Sequence, residues 1–290
     1  MNNRSILAEL LVWGRDLEGF KSEHASNALL VVQGYVEGVQ LPDAPRVRGI
    51  GSQDIERFSL FAKDLTWTFW LDEWFDSAER GANEFLDVDA VVRAIHGGEV
   101  RTPESAGFAA LARSFAEYSR FGPEYELWKS TAEAAVRAWG VEERLSRGAL
   151  RLTYDDYVRN GVNSTAVPHI VATASLLYGF RMAVRVAEER VGRLVRNLSI
   201  SCRLHNDLYS VEKERREGCL ANAVLLRESS HPNENQHGFV AEELSIYERR
   251  IREDVAALGE GDPFGTLATI MPATHQVLYT NPRGQYSLIE

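Results

Sequence analysis

Helical periodicity runs through almost the whole of this 290-residue chain, and that feature leaves few folds open. Leu7, Leu10, Leu11 and Trp13 fall at the spacing of an amphipathic helix. Residues 54–75 carry Phe58, Phe61, Leu65, Phe69 and Trp70 at the same period. Residues 108–118, 125–139 and 194–211 repeat the pattern. Polar, glycine- and proline-bearing segments at 41–51, 96–105, 121–124, 229–236 and 259–263 separate the helices. Alternating runs joined by a hairpin turn, the mark of paired strands, are almost absent. No repeat, low-complexity run or interdomain linker interrupts the chain. The expectation is an all-α bundle or barrel of about ten or more helices forming a single domain over residues 1–290.

Charge narrows the partners. The formal net charge is -10, so nucleic acid and anionic membrane are poor partners by bulk field. An acidic protein that handles a polyanion needs concentrated local cations, which carboxylate-bound metal ions supply. Cys202 and Cys219 are in no metal-binding spacing, and a reduced, cytoplasmic setting is expected. Residues 1–20 contain Arg4, Glu9, Arg15, Asp16 and Glu18, too much charge for a secretory leader. No apolar stretch is long enough to span a bilayer.

Two polar groupings carry the chemistry. Asp72 and Asp76, in Asp72-Glu73-Trp74-Phe75-Asp76, lie four residues apart on a helix, about 40° apart around its axis. Two carboxylates so placed repel unless a cation lies between them. Magnesium fits, because it takes oxygen ligands and also accepts phosphate oxygens. Trp67, Phe69 and Trp70 precede the pair and would form a dry aromatic wall. A solvated acidic helix end is the plain alternative. The second grouping is Asn206, Ser210 and Glu214, which fall within about 80° of one another on a helix. An amide oxygen, a hydroxyl and a carboxylate together suit one hard cation. Arg203 lies one turn before this stripe and Lys213 near its end, where either could reach diphosphate oxygens.

Together, an acidic pair and, about 130 residues later, an Asn-x3-Ser-x3-Glu stripe in an all-helical chain resemble the class I terpene synthases. The resemblance is closest to the bacterial ent-kaurene synthases. It rests further on Val12-Trp13-Gly14-Arg15, Gly19-Phe20, Glu23-His24-Ala25, Phe69-Trp70-Leu71-Asp72, residues 154–163, and Arg203-Leu204-His205-Asn206-Asp207-Leu208. It implies three Mg2+ ions, held by Asp72 and Asp76 on one side and by Asn206, Ser210 and Glu214 on the other. It also implies a helix break within 161–167, where Gly161, Ser164, Thr165 and Pro168 interrupt the helical pattern and small groups turn toward the substrate cation. Ser164, Thr165, Trp67, Phe69, Trp70 and Tyr279 are the candidate cation pocket.

The chain departs from this family pattern in three places. An arginine often stands 46 residues before the stripe asparagine; here that position is Asn160, with Arg159 beside it as the substitute. The usual terminal Arg-Tyr pair is replaced by Arg283 and Tyr286, separated by Gly284 and Gln285. Glu73 stands for a second aspartate. Asp87-Val88-Asp89-Ala90 falls short of the DxDD motif of protonation-initiated cyclases, so a separate class II cyclase is expected to supply any bicyclic substrate. His169 and His205 read as packing histidines.

The reaction implied is magnesium-dependent ionisation of ent-copalyl or a related bicyclic C20 diphosphate, then cyclisation to a labdane-related diterpene such as ent-kaurene or a pimaradiene. A hydroxyl at Ser164 or Thr165 would favour early deprotonation. The alternatives are a synthase acting directly on geranylgeranyl or farnesyl diphosphate, and a non-catalytic helical ligand-binding relative. A chain elongase would carry a second aspartate-rich motif in place of the stripe. The isoprenoid diphosphate is the expected partner, and the resemblance allows a homodimer.

Overall fold

The computed structural model describes residues 3–14, 20–37, 55–76, 85–119 and 122–280. The described residues are helical with no strand. In chain order the helices are α1 (Asn3–Gly14), α2 (Ser22–Glu37), α3 (Ile55–Asp76), α4 (Val88–Ile95), α5 (Pro103–Ser119), α6 (Pro123–Ser146) and α7 (Tyr154–Ser164). They continue with α8 (Val167–Tyr178), α9 (Met182–Arg185, a single turn), α10 (Glu189–Glu217), α11 (Ala223–Ser230), α12 (Gln236–Leu258) and α13 (Pro263–Thr280).

Local chemistry sets many of the boundaries. Helix α4, which contains Val88 and Asp89 of the failed acid motif, is capped by Asp87. That side chain accepts from the Ala90 N–H at 2.8 Å, so Asp87 starts a helix. Pro123 opens α6, where its missing N–H costs nothing. Thr153 caps α7, accepting from Asp156 N–H at 3.1 Å. Asn235 caps α12 in the same way. Helix α10 stops at Gly218, whose φ of 71° is the left-handed conformation that ends many helices.

The predicted break is present. Helix α7 ends at Ser164 and α8 begins at Val167, with Ala166 between them at φ 55°. A left-handed alanine is strained. Pro168 in the first turn of α8 fits a fresh helix start, not a continuing α7.

One apolar core gathers α2, α3, α5, α6, α8, α10 and α13 around Phe61, Trp67, Trp70, Phe108, Trp128 and Phe264. A second core joins α7, α10, α11 and α12 through Tyr157, Leu204, Val224 and Val240. Helix α10 belongs to both and packs against α7, α8, α11, α12 and α13. Its apolar residues therefore do not form one stripe, and polar residues on it are held between neighbouring helices. Among the described residues no helix is long and apolar enough to cross a membrane.

Candidate active site

Asn206, Ser210 and Glu214 lie along α10 and are half-buried. Ser210 Oγ donates to the Asn206 carbonyl at 2.8 Å and lies 3.3 Å from Asn206 Oδ1. Amide and hydroxyl oxygens are thus close enough to share one cation. Glu214 is held from outside the stripe: Asn222 Nδ2 donates to Glu214 Oε2 at 2.7 Å and to the Asp207 carbonyl at 2.8 Å. Asn222 Oδ1 at the same time caps α11, accepting from the N–H groups of Val224 and Leu225. One side chain therefore fixes both the carboxylate and the start of α11. An all-oxygen donor set of amide, hydroxyl and carboxylate fits a hard divalent cation. Among the described residues no group of three or more His, Cys, Asp or Glu converges as an alternative metal site.

Asp72 and Asp76 belong to the last two turns of α3. Their side chains lie outside the described residues, as do Tyr279's side chain and the whole of Arg283 and Tyr286. Lys213 is exposed near the end of the stripe.

Arg203, one turn before Asn206, is buried in a network joining α6, α7 and α10. Its Nη2 donates to Glu142 Oε2 at 2.9 Å and to Ser164 Oγ at 2.8 Å. Its Nη1 donates to the Tyr157 hydroxyl at 3.1 Å and lies 3.5 Å from Asp207 Oδ1. Ser164 Oγ also donates to Glu142. Asp207 accepts from the Ala223 N–H at 3.0 Å. Burial pushes its carboxyl up to about 7, with Arg203 pulling the other way.

The two residues at the sensor position face differently. Asn160 points inward, its Nδ2 donating to the Ala138 carbonyl at 3.1 Å and to Glu142 at 3.3 Å. Arg159 points outward and pairs with Asp156, its side chain 63% exposed. Gly161 lets α7 approach α10: a Cβ there would stand 3.0 Å from Arg203 Cγ. The cation next to the break is therefore Arg203, from α10.

The cation-pocket candidates separate into groups. Trp67 and Trp70 are fully buried, with Trp67 edge-on to Phe108 and beside Trp139. Phe69 is partly buried against the same core. At the break, Ser164 is committed to Arg203 and Glu142, and its carbonyl accepts from Trp139 Nε1 at 2.7 Å. Thr165 Oγ1 is buried with no hydrogen-bond partner. A cleft opens elsewhere, among Val167, Leu198, Cys202, Met271, Pro272 and His275. It has about 10 Å3 of open space, roughly room for one water. The aromatic residues of α3 do not line it. His169 and His205 are held by carboxylates, Asp64 at 3.2 Å and Glu248 at 2.9 Å, as packing histidines would be.

Three participants escaped the sequence. Asn222 carried a helix-start signal but nothing that linked it to Glu214. Glu142 and Trp139 sit on α6 in an ordinary amphipathic pattern.

A family model described as terpene synthase family 2, C-terminal metal binding, matches residues 63–236, more than half of the chain. The chain belongs to that family. This terpene synthase is therefore an enzyme of the lyase type, and the family implies a divalent metal. Among solved structures it is similar to abietadiene synthase from Abies grandis, with a TM-score of 0.73 at 14% identity. That match covers 98% of this chain and 38% of the other, so the chain spans well under half of that protein. It is also similar to linalool/nerolidol synthase from Streptomyces clavuligerus, solved in complex with 2-fluorogeranyl diphosphate. There the TM-score is 0.71 at 16% identity, over 96% of this chain and 98% of the other. Germacradien-4-ol synthase from Streptomyces citricolor gives 0.68 at 15% identity, over 96% and 94%. At these identities the structures establish the class I terpene synthase fold.

Proposed function

We propose that this terpene synthase is a class I diterpene synthase of the ent-kaurene synthase type. Its substrate is ent-copalyl diphosphate or a related bicyclic C20 diphosphate from a separate class II cyclase. Its product has a kaurane or pimarane skeleton. The observation that carries the reading is the oxygen-donor stripe of Asn206, Ser210 and Glu214, held by Asn222 at the edge of an apolar interior. The absence of a DxDD motif argues that this chain does not make a bicyclic diphosphate itself, so a separate cyclase would supply one.

Asp72 and Asp76 would hold metal on α3, and Asn206, Ser210 and Glu214 on α10. Three Mg2+, when bound, supply the positive charge that stabilises diphosphate as it leaves. Arg203 and Lys213 are the α10 cations that would meet the diphosphate, with Arg159 at the rim and Arg283 and Tyr286 closing over it. Arg203 must exchange part of its bonding to Glu142 and Ser164 to do so, which couples diphosphate binding to the helix break. Trp67, Phe69, Trp70 and Tyr279 present aromatic faces, which stabilise a cation without attacking it. The unpaired Thr165 hydroxyl places a dipole at the break that favours deprotonation at a pimarenyl cation over further ring closure, and Thr165→Ile shifts the balance toward the tetracycle.

A second reading has an observation behind it. The chain matches, almost end to end, a synthase solved with a geranyl diphosphate analogue, and this favours an acyclic substrate, geranylgeranyl or farnesyl diphosphate. The deciding experiment is diphosphate release with product analysis by gas chromatography and mass spectrometry. It is run with magnesium on ent-copalyl, geranylgeranyl and farnesyl diphosphates. The proposal expects ent-copalyl diphosphate to be preferred, and Asp72→Ala and Asn206→Ala each to lower turnover by about 100-fold or more. Preference for an acyclic substrate selects the second reading. No release from any of them overturns both readings of the substrate.

A further inference from the structure

A carbocation that ends as an alkene gives up a proton, and the charged groups of the candidate site belong to the diphosphate end. The cleft among α8, α10 and α13 contains a different kind of cluster. His275 on α13 reaches Tyr35 on α2 through Nε2, at 2.8 Å from the phenol oxygen. Its Nδ1 lies 2.9 Å from Cys202 Sγ on α10. All three side chains are buried, Tyr35 completely. Cys202 and His275 both line the cleft.

Position ties this cluster to the reaction. Cys202 lies four residues before Asn206, one helical turn or about 6 Å along α10 and about 40° around it. Val167, the first residue after the helix break, lines the same cleft. Leu198, Met271 and Pro272 give the wall apolar faces, and Ser201 and His205 complete it. The cluster thus stands beside a hydrocarbon surface, below the metal stripe. Burial lowers the His275 pKa to about 4, so the ring is neutral and keeps one lone pair.

We infer that Cys202, His275 and Tyr35 form the proton relay that ends the reaction, taking a proton from the last carbocation to give an alkene. This rests on the synthase reading above. In the tautomer that serves, Nε2–H donates to the Tyr35 oxygen and Cys202 S–H donates to Nδ1. The C–H bond next to the cationic carbon breaks and its electron pair becomes the alkene π bond. The released proton adds to Cys202 sulfur as the original S–H proton passes to Nδ1. The ring becomes an imidazolium whose two N–H groups are accepted by sulfur and by the phenol oxygen, so no new bond partner is needed. A buried imidazolium is a strong acid, and it returns its proton to water or diphosphate once product leaves. Unlike the carboxylates at Arg203, neutral sulfur and imidazole do not hold the cation by charge before the ring system is complete.

The test compares product patterns at equal diphosphate released, for wild type and for Cys202→Ala, His275→Phe, Cys202→Ser and Tyr35→Phe, each checked for folding by circular dichroism. The relay predicts that Cys202→Ala and His275→Phe lower the share of the wild-type major alkene about fivefold. Double-bond isomers and water-quenched alcohols take its place. Cys202→Ser, which keeps a transferable proton, restores the pattern to within about twofold, and Tyr35→Phe falls between. A change under twofold in folded Cys202→Ala overturns the relay and leaves diphosphate as the acceptor, even if His275→Phe does not fold. A wild-type protein that releases no diphosphate from any isoprenoid overturns the synthase reading, and the relay with it.

Discussion

Arg203 and Cys202 are neighbours on α10, yet they serve two buried clusters of opposite character. About 100° of helix rotation turns Arg203 toward α6 and α7 and Cys202 toward α13, where His275 joins it to Tyr35 of α2. The first cluster is ionic: one guanidinium, the carboxylates of Glu142 and Asp207, and the hydroxyls of Ser164 and Tyr157. The second is neutral: a phenol, an imidazole and a thiol. Burying ions costs several kcal/mol each, and only near-complete pairing offsets it. Neutral groups carry a smaller cost. The comparison teaches a division of labour along one helix. Charge is gathered where a diphosphate and its metals would add more, and withheld where a hydrocarbon cation would rest.

The sharpest way to break this comparison is to remove its central charge. Arg203→Met leaves Glu142 and Asp207 without their cation. Asp207 softens the loss by taking up a proton, since its pKa already stands at about 7. Glu142 is the larger liability, because its side chain is only 13% exposed. The expected cost is about 3 kcal/mol, read from the midpoint of urea unfolding at constant slope. Adding Glu142→Met should recover a good part of it, because an unpaired buried charge is worse than none. A loss below about 1 kcal/mol would mean that the network is a wet surface pair.

The neutral cluster should show its character through pH. An unfolded chain protonates His275 near 6.5, whereas the buried ring resists until about 4. The unfolded state therefore binds more protons between those values, and stability falls as pH drops through that window. Above about pH 6.5 the penalty is absent; at pH 5 it is roughly 2 kcal/mol. Burial pushes the Tyr35 phenol further up, away from this window, so that partner leaves the sign unchanged. Thermal unfolding of wild type and His275→Gln at pH 7 and pH 5 isolates the effect as the difference between their pH slopes.

Asn222 joins the ionic side of the comparison to the candidate metal stripe. Asn222→Ala removes the cap of α11 and the hydrogen bond that aims Glu214. The cap is worth about 1 kcal/mol. Loss of an aiming bond of this kind typically weakens metal affinity by about tenfold or more. Magnesium dependence of diphosphate release measures the second effect, and Asn222→Asp, which keeps the cap acceptor but repels Glu214, separates the two.

These partners show what the sequence could and could not display. The amphipathic helices α1, α3, α5, α6 and α10 were legible because a 3.6-residue period is local, and so was the break, because Gly161 and Pro168 are local signals. The stripe on α10 was legible for the same reason, since one helix carries all three candidate ligands. Helix α4 was hidden by its length of eight residues and by an acidic start that reads first as a failed motif. Tyr35 and His275 are 240 residues apart, and neither lies in a pattern that calls for the other. Glu142 meets Arg203 across 61 residues on an otherwise ordinary helix. Contacts between helices depend on which faces the bundle brings together, and periodicity fixes a face without naming its partner.

The smallest expected effect concerns Arg159, and it sharpens the ionic side of the comparison. The family pattern places an arginine one residue later, where this chain has Asn160 turned inward onto Glu142. Arg203 already reaches Glu142 from α10, donating to both of its carboxylate oxygens. A second guanidinium at 160 would compete for Glu142, so the amide is what the site can hold. Arg159 is left outside, pairing with Asp156 at the surface. Exposed pairs three residues apart on a helix contribute a few tenths of a kcal/mol at most. Arg159→Ala should therefore shift unfolding by less than about 0.5 kcal/mol. Its effect on kcat/KM should stay below that of Arg203→Lys, which keeps the charge but loses the fork that spans Glu142, Ser164 and Tyr157. The reverse ranking in steady-state kinetics would show that α7 turns on binding and that Arg159, not Arg203, meets the diphosphate.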